Sequence, residues 1–382
     1  MTFLHGMNIP NFTKKRNMIK FTALCLLFVV LNLLRVKAEQ LYVNPQAGKD
    51  TNSGLKAQPL KTLAEAARRV NQNKAQEETT IILSEGVHLL TQTVLFNNDK
   101  YSLNNRLIIR AEGMPDDTGW TPRKMPVVIT VVPLEPGVGG EEAKGIQPEV
   151  SHVTIEGLRF TGSPDYTYLD ENNLRRSYPI WRDGKKLDDL LVTQCLFAGN
   201  VDVLPLHVGV IANGYGLVID HCVFFNCKIP VVFWKNDGKT GGRGAMRYSL
   251  VYGGYFCGVW TTQGTNGDEF DFHHNIIANT STIWIREKGS TRRYKASNCI
   301  FVNYDKLAGY GSGPLSGNDA TSTDFLEMKN IQITGTVTIE KDQSKRNYLQ
   351  LAEGSIGSGL KAGLFKKSNI FQPPKAGNDQ FE

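Results

Sequence analysis

Residues 217–224 read LVIDHCVF, and the side chains that suit an interior fall at Leu217, Ile219, Cys222 and Phe224. Their offsets of 0, 2, 5 and 7 are period-two alternation interrupted once, between Ile219 and Cys222. Alternation sends successive side chains to opposite faces of a strand. A single slip that keeps both halves facing one interior therefore needs a bend between two short strands. The same frame recurs at 153–160, 190–197, 244–251, 270–277, 294–301 and 326–333. Its third position is Leu158, Cys195, Cys222, Ser249, Asn275, Cys299 and Ile331, spaced by 37, 27, 27, 26, 24 and 32 residues. A coil of about two dozen residues holding three short strands is the unit of a parallel β-helix, and the wider spacings leave room for insertions.

Other columns keep the same beat. Asn226, Asn279 and Asn303 stand four places after the third position, with Asn200 one place later. Asparagine accepts left-handed backbone and can bond sideways, so an internal amide ladder is expected. The remaining strand of each coil supplies Val210-Ile211, Val232-Phe233, Val259-Trp260 and Ile283-Trp284. From about residue 80 to 340 the chain resembles the right-handed parallel β-helix repeat proteins of the pectate-lyase-like superfamily. The expected fold is all-β, a single-stranded right-handed parallel β-helix with an N-terminal capping helix.

Residues 41–70 resemble the stretch in which such proteins cover their first coil with an extended piece and an amphipathic helix, and Thr62 with Glu65 forms a capping-box pattern for that helix. Residues 347–365, NYLQLAEGSIGSGLKAGLF, resemble a segment closing the far end. The organisation expected is a signal peptide over 1–38 and one β-helix domain over 39–382. Within it, 39–79 lead in and cap, 80–340 are coils, and 341–382 close.

Lys14, Lys15, Arg16 and Lys20 precede the apolar run FTALCLLFVVLNLL, and Val36 and Ala38 occupy the small-residue positions of a cleavage site. The run is short for a membrane span, so export is expected, to the periplasm, cell surface or medium. Six of the 43 basic side chains lie in residues 1–38, where no acidic one occurs, so the rest carries 37 basic against 37 acidic. That neutrality gives no reason to expect nucleic acid or an anionic membrane as partner. Five cysteines follow the signal, an odd number without a paired CxxC pattern, which argues against a disulfide framework. A monomer is expected.

Two surfaces carry candidate chemistry. Cys222 shares an inward column with Cys195, Ser249, Asn275 and Cys299, which explains it as wall rather than metal ligand or nucleophile. Asp220-His221 occupy the slip, above them come Arg247-Tyr248 and His273-His274, and the column unites acid, base and phenol. VIDHC and FHHN are similar to the WIDHC and HHN segments of pectate lyases, a family that abstracts a proton beside a uronate carboxylate with an arginine, often with calcium. The family's RxPxxR pattern is replaced here by TSTIWIREKG, which leaves Arg286 and Lys288 near the expected place.

The second surface is the third strand and its loops. With Val210, Val232, Val259 and Ile283 inward, Ile211, Phe233, Trp260 and Trp284 would form an outward strip for sugar rings. Lys235, Arg243, Arg286, Lys288 and Arg292 would meet substrate acids beside it, and Asp237, Asp268 and Glu269 would be candidate calcium ligands. Arg286 and Lys235 are then the expected catalytic cations, His273 and His274 a further proton-transfer pair, and Phe233, Trp260, Trp284, Arg243, Lys288, Arg292, Arg247 and Tyr248 the substrate contacts. The expected activity is β-elimination on an acidic, uronate-containing polysaccharide. The alternatives are a non-catalytic glycan-binding β-helix, or a glycoside hydrolase using Asp268 with Asp237 or Glu269.

Overall fold

The computed structural model describes residues 39–137, 140–164, 175–184, 186–200, 202–234, 241–262, 269–287, 292–311, 318–319 and 326–364. The expected signal at 1–38 lies outside them. Strand after strand pairs in parallel with the strand one coil later: Leu190 sits beside Leu217, Ile219 beside Met246, Met246 beside Phe272, and Tyr294 beside Leu326. Three such ladders run the length of the domain. In the central coil their strands are Gly214–Asp220, Val223–Phe225 and Cys227–Phe233, here the first, second and third sheet. Parallel strands joined coil to coil take right-handed crossovers, and the molecule is a right-handed parallel β-helix.

The slip read in the sequence is a corner between the first and second sheets. Gln194, His221, Tyr248, His274, Asn298 and Asn330 turn it with φ between 46° and 56°. The residues after them, Cys195, Cys222, Ser249, Asn275 and Cys299, are buried as expected. Their choice has a hydrogen-bonding reason. Cys222 N–H donates to Ser249 Oγ at 3.2 Å, Ser249 N–H to Asn275 Oδ1 at 3.0 Å, and Asn275 N–H to Cys299 Sγ at 3.4 Å. Each of these three corner amides is thus satisfied by a small polar side chain of the next coil, where an aliphatic one would leave a buried donor unpaired. Further in, Phe160, Phe197 and Phe224 stack at 4.8 and 4.7 Å, and each buried ring contributes about 1.5–3 kcal/mol.

The asparagines behave differently from expectation. Asn226, Asn279 and Asn303 do take left-handed backbone, with φ of 49°, 55° and 52°. Asn303 donates to Asn279, but at the outer edge of the turn and not inside the coil. The capping box is likewise half formed. Thr62 Oγ1 accepts from Glu65 N–H at 3.1 Å, while Thr62 N–H goes to Asp50 at 2.9 Å. The Glu65 carboxylate turns to Arg68 and Arg69, which hold its pKa down at about 2.

Helix Leu63–Gln72 buries Leu63, Ala66, Ala67 and Val70 in the core with Leu41 and Ile81 of the first sheet. The described residues of the C-terminal segment do not lie over the far end. Val337, Ile339, Tyr348, Leu349, Leu351, Ala362 and Leu364 instead pack on Leu196, Val223, Leu250, Ile276 and Ile300, the outward column of the second sheet. Gly363 N–H bonds Tyr248 O at 2.8 Å, which pins this strap beside the corner. The second sheet is apolar on both faces, so its outward face needs a cover.

Candidate functional site

The outer face of the first sheet collects the polar side chains that the corner column led one to expect. Asp220, Arg247 and His273 stand one above another by direct strand register, and Asp271 lies beside them on the same face. Asp220 is buried and divides its oxygens between His221 Nδ1 at 3.0 Å and Arg247 Nε at 3.1 Å. Arg247 Nη1 reaches Asp271 Oδ2 at 3.6 Å, and His273 Nε2 lies 3.4 Å from that oxygen. His273 Nδ1 and His274 Nδ1 are 2.9 Å apart. Tyr248 is stacked between His221 and His274, at 4.9 and 4.8 Å between ring centroids.

These contacts form a proton path. With His273 Nε2–H turned to the Asp271 carboxylate, His273 Nδ1 can only accept, and His274 Nδ1–H is its donor. That tautomer leaves the His274 Nε2 lone pair able to accept a proton. Burial and the neighbouring His273 both lower the His274 pKa, while Asp271 raises it, and the net shift is downward. The contact with His273 likewise holds the Asp271 carboxyl below its usual range, with Arg247 adding to the effect. Asp271 stays ionised and His274 stays neutral near pH 7. Asp271 side-chain exposure is 50%, and His273 22%, so the cluster meets solvent.

Asp271 is not among the acids singled out from the sequence. Its position, two before His273 in an alternating strand, is the signal that puts both on one outward face. Arg243 and Glu269 continue that face, 3.7 Å apart, two residues before Ala245 and Asp271. Glu269 therefore has a cationic neighbour, and among the described residues no group of three or more His, Cys, Asp or Glu is arranged to hold a metal ion. Lys235, Asp237, Asp268 and Lys288 lie outside the described residues.

The expected aromatic strip is corrected by the third sheet's register. Val210, Val231, Val259 and Trp284 share one inward column, and Ala212, Phe233, Thr261 and Arg286 share the other. Phe233 is 3% exposed and packs edge-on against Phe270, and Trp284 is fully buried with Nε1–H donating to Thr261 at 3.0 Å. The cause is a second slip, inside the third strand. Ile283 and Trp284 are consecutive yet both buried in the core, and a Cβ on Gly258, the residue before Val259, would meet Ile277. Strict alternation therefore misplaced Phe233, Trp284 and Arg286.

Arg286 faces inward too, 5% exposed, donating to Arg292 O at 2.6 Å and Tyr310 Oη at 2.9 Å. It braces the third sheet, and a guanidinium held there is not presented to a polymer. Arg292 supplies the carbonyl. Of the four strip residues, Ile211 and Trp260 face out. The outer face does carry aromatic side chains, namely Tyr178, Trp181, Trp234, Phe256 and Trp260, with the Lys144 ammonium 4.7 Å above Trp181. Trp181 is 2% exposed, so the cluster works as packing more than as a platform.

No family model and no curated protein matches the chain. Among solved structures it is similar to a rhamnogalacturonan lyase, at 12% identity and a TM-score of 0.39, over 86% of this chain and 100% of that one. It is similar to pectin methylesterase PemA from Erwinia chrysanthemi, at 9% identity and a TM-score of 0.38, over 88% and 99% of the two chains. It is also similar to the GH136 lacto-N-biosidase from Eubacterium ramulus, at 10% and 0.37, over 78% and 68%. The fold rests on the strand ladders themselves, and likeness at this level carries no activity across. Among the described residues no helix is long and apolar enough to cross a membrane.

Proposed function

We propose that the protein is exported and cleaves an acidic, uronate-containing polysaccharide by β-elimination on the outer face of the first sheet. The observation that carries this reading is the Asp271–His273–His274 path lying against Tyr248 and Arg247. In the reaction, Arg247 faces the uronate carboxylate and stabilises the charge that develops as the α-proton leaves. His274 Nε2 takes that proton, and the resulting cation is shared through His273 toward Asp271. The ring carbon–oxygen bond to the next sugar breaks, and the Tyr248 hydroxyl gives its proton to the leaving oxygen. Each turnover yields one new unsaturated uronate end and one new hydroxyl.

Calcium remains part of the proposal as an aid to carboxylate binding, through Glu269 and the acids near it in sequence. A binding-only reading is favoured by the continuous His221–Tyr248–His274 stack, which also suits a wall. The deciding experiment incubates the protein with pectate, alginate and glycosaminoglycans, with calcium or chelator, and follows ultraviolet absorbance of unsaturated uronates. Absorbance that His274→Ala lowers by about 10²–10⁴-fold supports the assignment. New reducing ends without absorbance mean hydrolysis. Retention on a polymer with neither signal means binding alone.

A further inference from the structure

The two ends of the coil stack are finished differently. At the N-terminal end the outer edge of Glu39–Val43 is engaged at Tyr42 and just past the strand: Tyr42 N–H donates to Gly54 O, Leu60 N–H to Tyr42 O, and Asn44 N–H to Leu60 O, all at 2.8 Å. Helix Leu63–Gln72 lies over the interior there. At the other end, Leu326–Gln332 pairs with Tyr294–Gly311 on one side and, among the described residues, with no strand on the other. Leu326 is buried, but two later interior positions are open. Met328 is 40% exposed and Ile333 55%, where Ala296 and Phe301 one coil earlier are fully buried. A strand edge without a described partner, beside exposed apolar side chains, is one that a further strand can join.

The charges on this edge say which strand. Glu327 and Lys329 flank Met328 on the outer face, both exposed, and the Lys295 ammonium is no nearer to Glu327 than 4.0 Å. A strand running antiparallel and centred on Met328 would set Glu327 opposite a cation and Lys329 opposite an anion. The strand that carries those charges in that order is the same strand from a second molecule, turned by two-fold symmetry. Met328 would then meet Met328, with Ile331 and Ile333 closing the joined interiors.

We infer that the protein forms a tail-to-tail dimer by antiparallel pairing of residues 326–330 between two copies. The two-fold contact uses the same surface on both copies, so it is isologous and assembly stops at two. This departs from the monomer expected from the sequence.

Sedimentation velocity and light scattering on the full chain over a range of concentrations test it. A reversible monomer–dimer equilibrium is expected. Lys329→Glu places like charges opposite each other at both symmetry-related positions and should weaken the dimer by about tenfold or more. The double exchange E327K/K329E restores opposite signs and should recover most of the lost affinity, which a folding defect would not. A wild-type protein that stays monomeric overturns the inference, as does a dimer indifferent to Lys329→Glu or an assembly that grows beyond two. Circular dichroism of each variant shows that its strands are intact.

Discussion

At the scale of single residues, the corner between the first and second sheets does two jobs. Its outward residues carry the proposed chemistry and its inward ones satisfy backbone amides. Asn275 accepts from Ser249 N–H and donates to Met246 O at 2.7 Å, in full burial. Asn275→Leu leaves both groups without a partner and should cost about 2–4 kcal/mol, read as a lower denaturant midpoint. The thiols in this wall are inert. Burial pushes the Cys299 thiol up to about 12, and it raises those of Cys222, Cys227 and Cys257 as well. A thiol reagent at pH 8 should leave these four unlabelled until denaturant is added.

The histidines set the acid limit. His88 is buried, its Nε2–H donates to Ser84 O at 2.9 Å, and burial lowers its pKa, as it does that of His274. Between such a depressed value and about 6.5, the unfolded chain binds more protons than the native one, so stability is complete above about pH 6.5 and falls as the pH drops. Asp271, also depressed, adds a loss of the same sign below about pH 4. Melting temperature should therefore decline from pH 7.5 to 5, and His88→Leu should flatten that decline. Lyase activity should rise with pH through a value below about 6.5, as His274 becomes neutral.

Elements show where reading a sequence succeeds and where it stops. The first two strands of each coil were legible because their slip is fixed at one residue and, in the five central coils, marked by Cys, Ser or Asn just after it. The third strand hides its slip beneath residues that are apolar on either side, as at Ile283 and Trp284, so alternation gave no warning. That is why Phe233, Trp284 and Arg286 were expected outside and lie inside. The strap of residues 337–364 is harder still, since its partners are distant in sequence and its apolar residues follow no strand period. Its weight can be measured. Leu250, beneath the strap, and Leu89, 51% exposed on the uncovered start of the same sheet, both point outward. Leu250→Asp should cost about 3 kcal/mol or more and Leu89→Asp within about 0.5 kcal/mol.

At the scale of the whole molecule, stacking turns distance along the chain into adjacency. Asp220, Arg247 and His273 are about one coil apart in sequence and neighbours in space. Deleting His221 alone should be far more damaging than its single side chain suggests. The one-residue shift would turn Cys222 and Phe224 toward solvent and break register with the coils on both sides, read as loss of a cooperative unfolding transition.

The strap also imposes an order on how the molecule is completed. Coils can wind as the chain emerges, each on the one before, yet the second sheet keeps a greasy flank until residues 337–364 arrive to lie on it. Gly363 then docks on Tyr248, in a part of the wall finished several turns earlier. A chain cut short before the strap would be wound but unsealed, displaying the surface that chaperones and proteases recognise. Full-length synthesis is thereby coupled to survival.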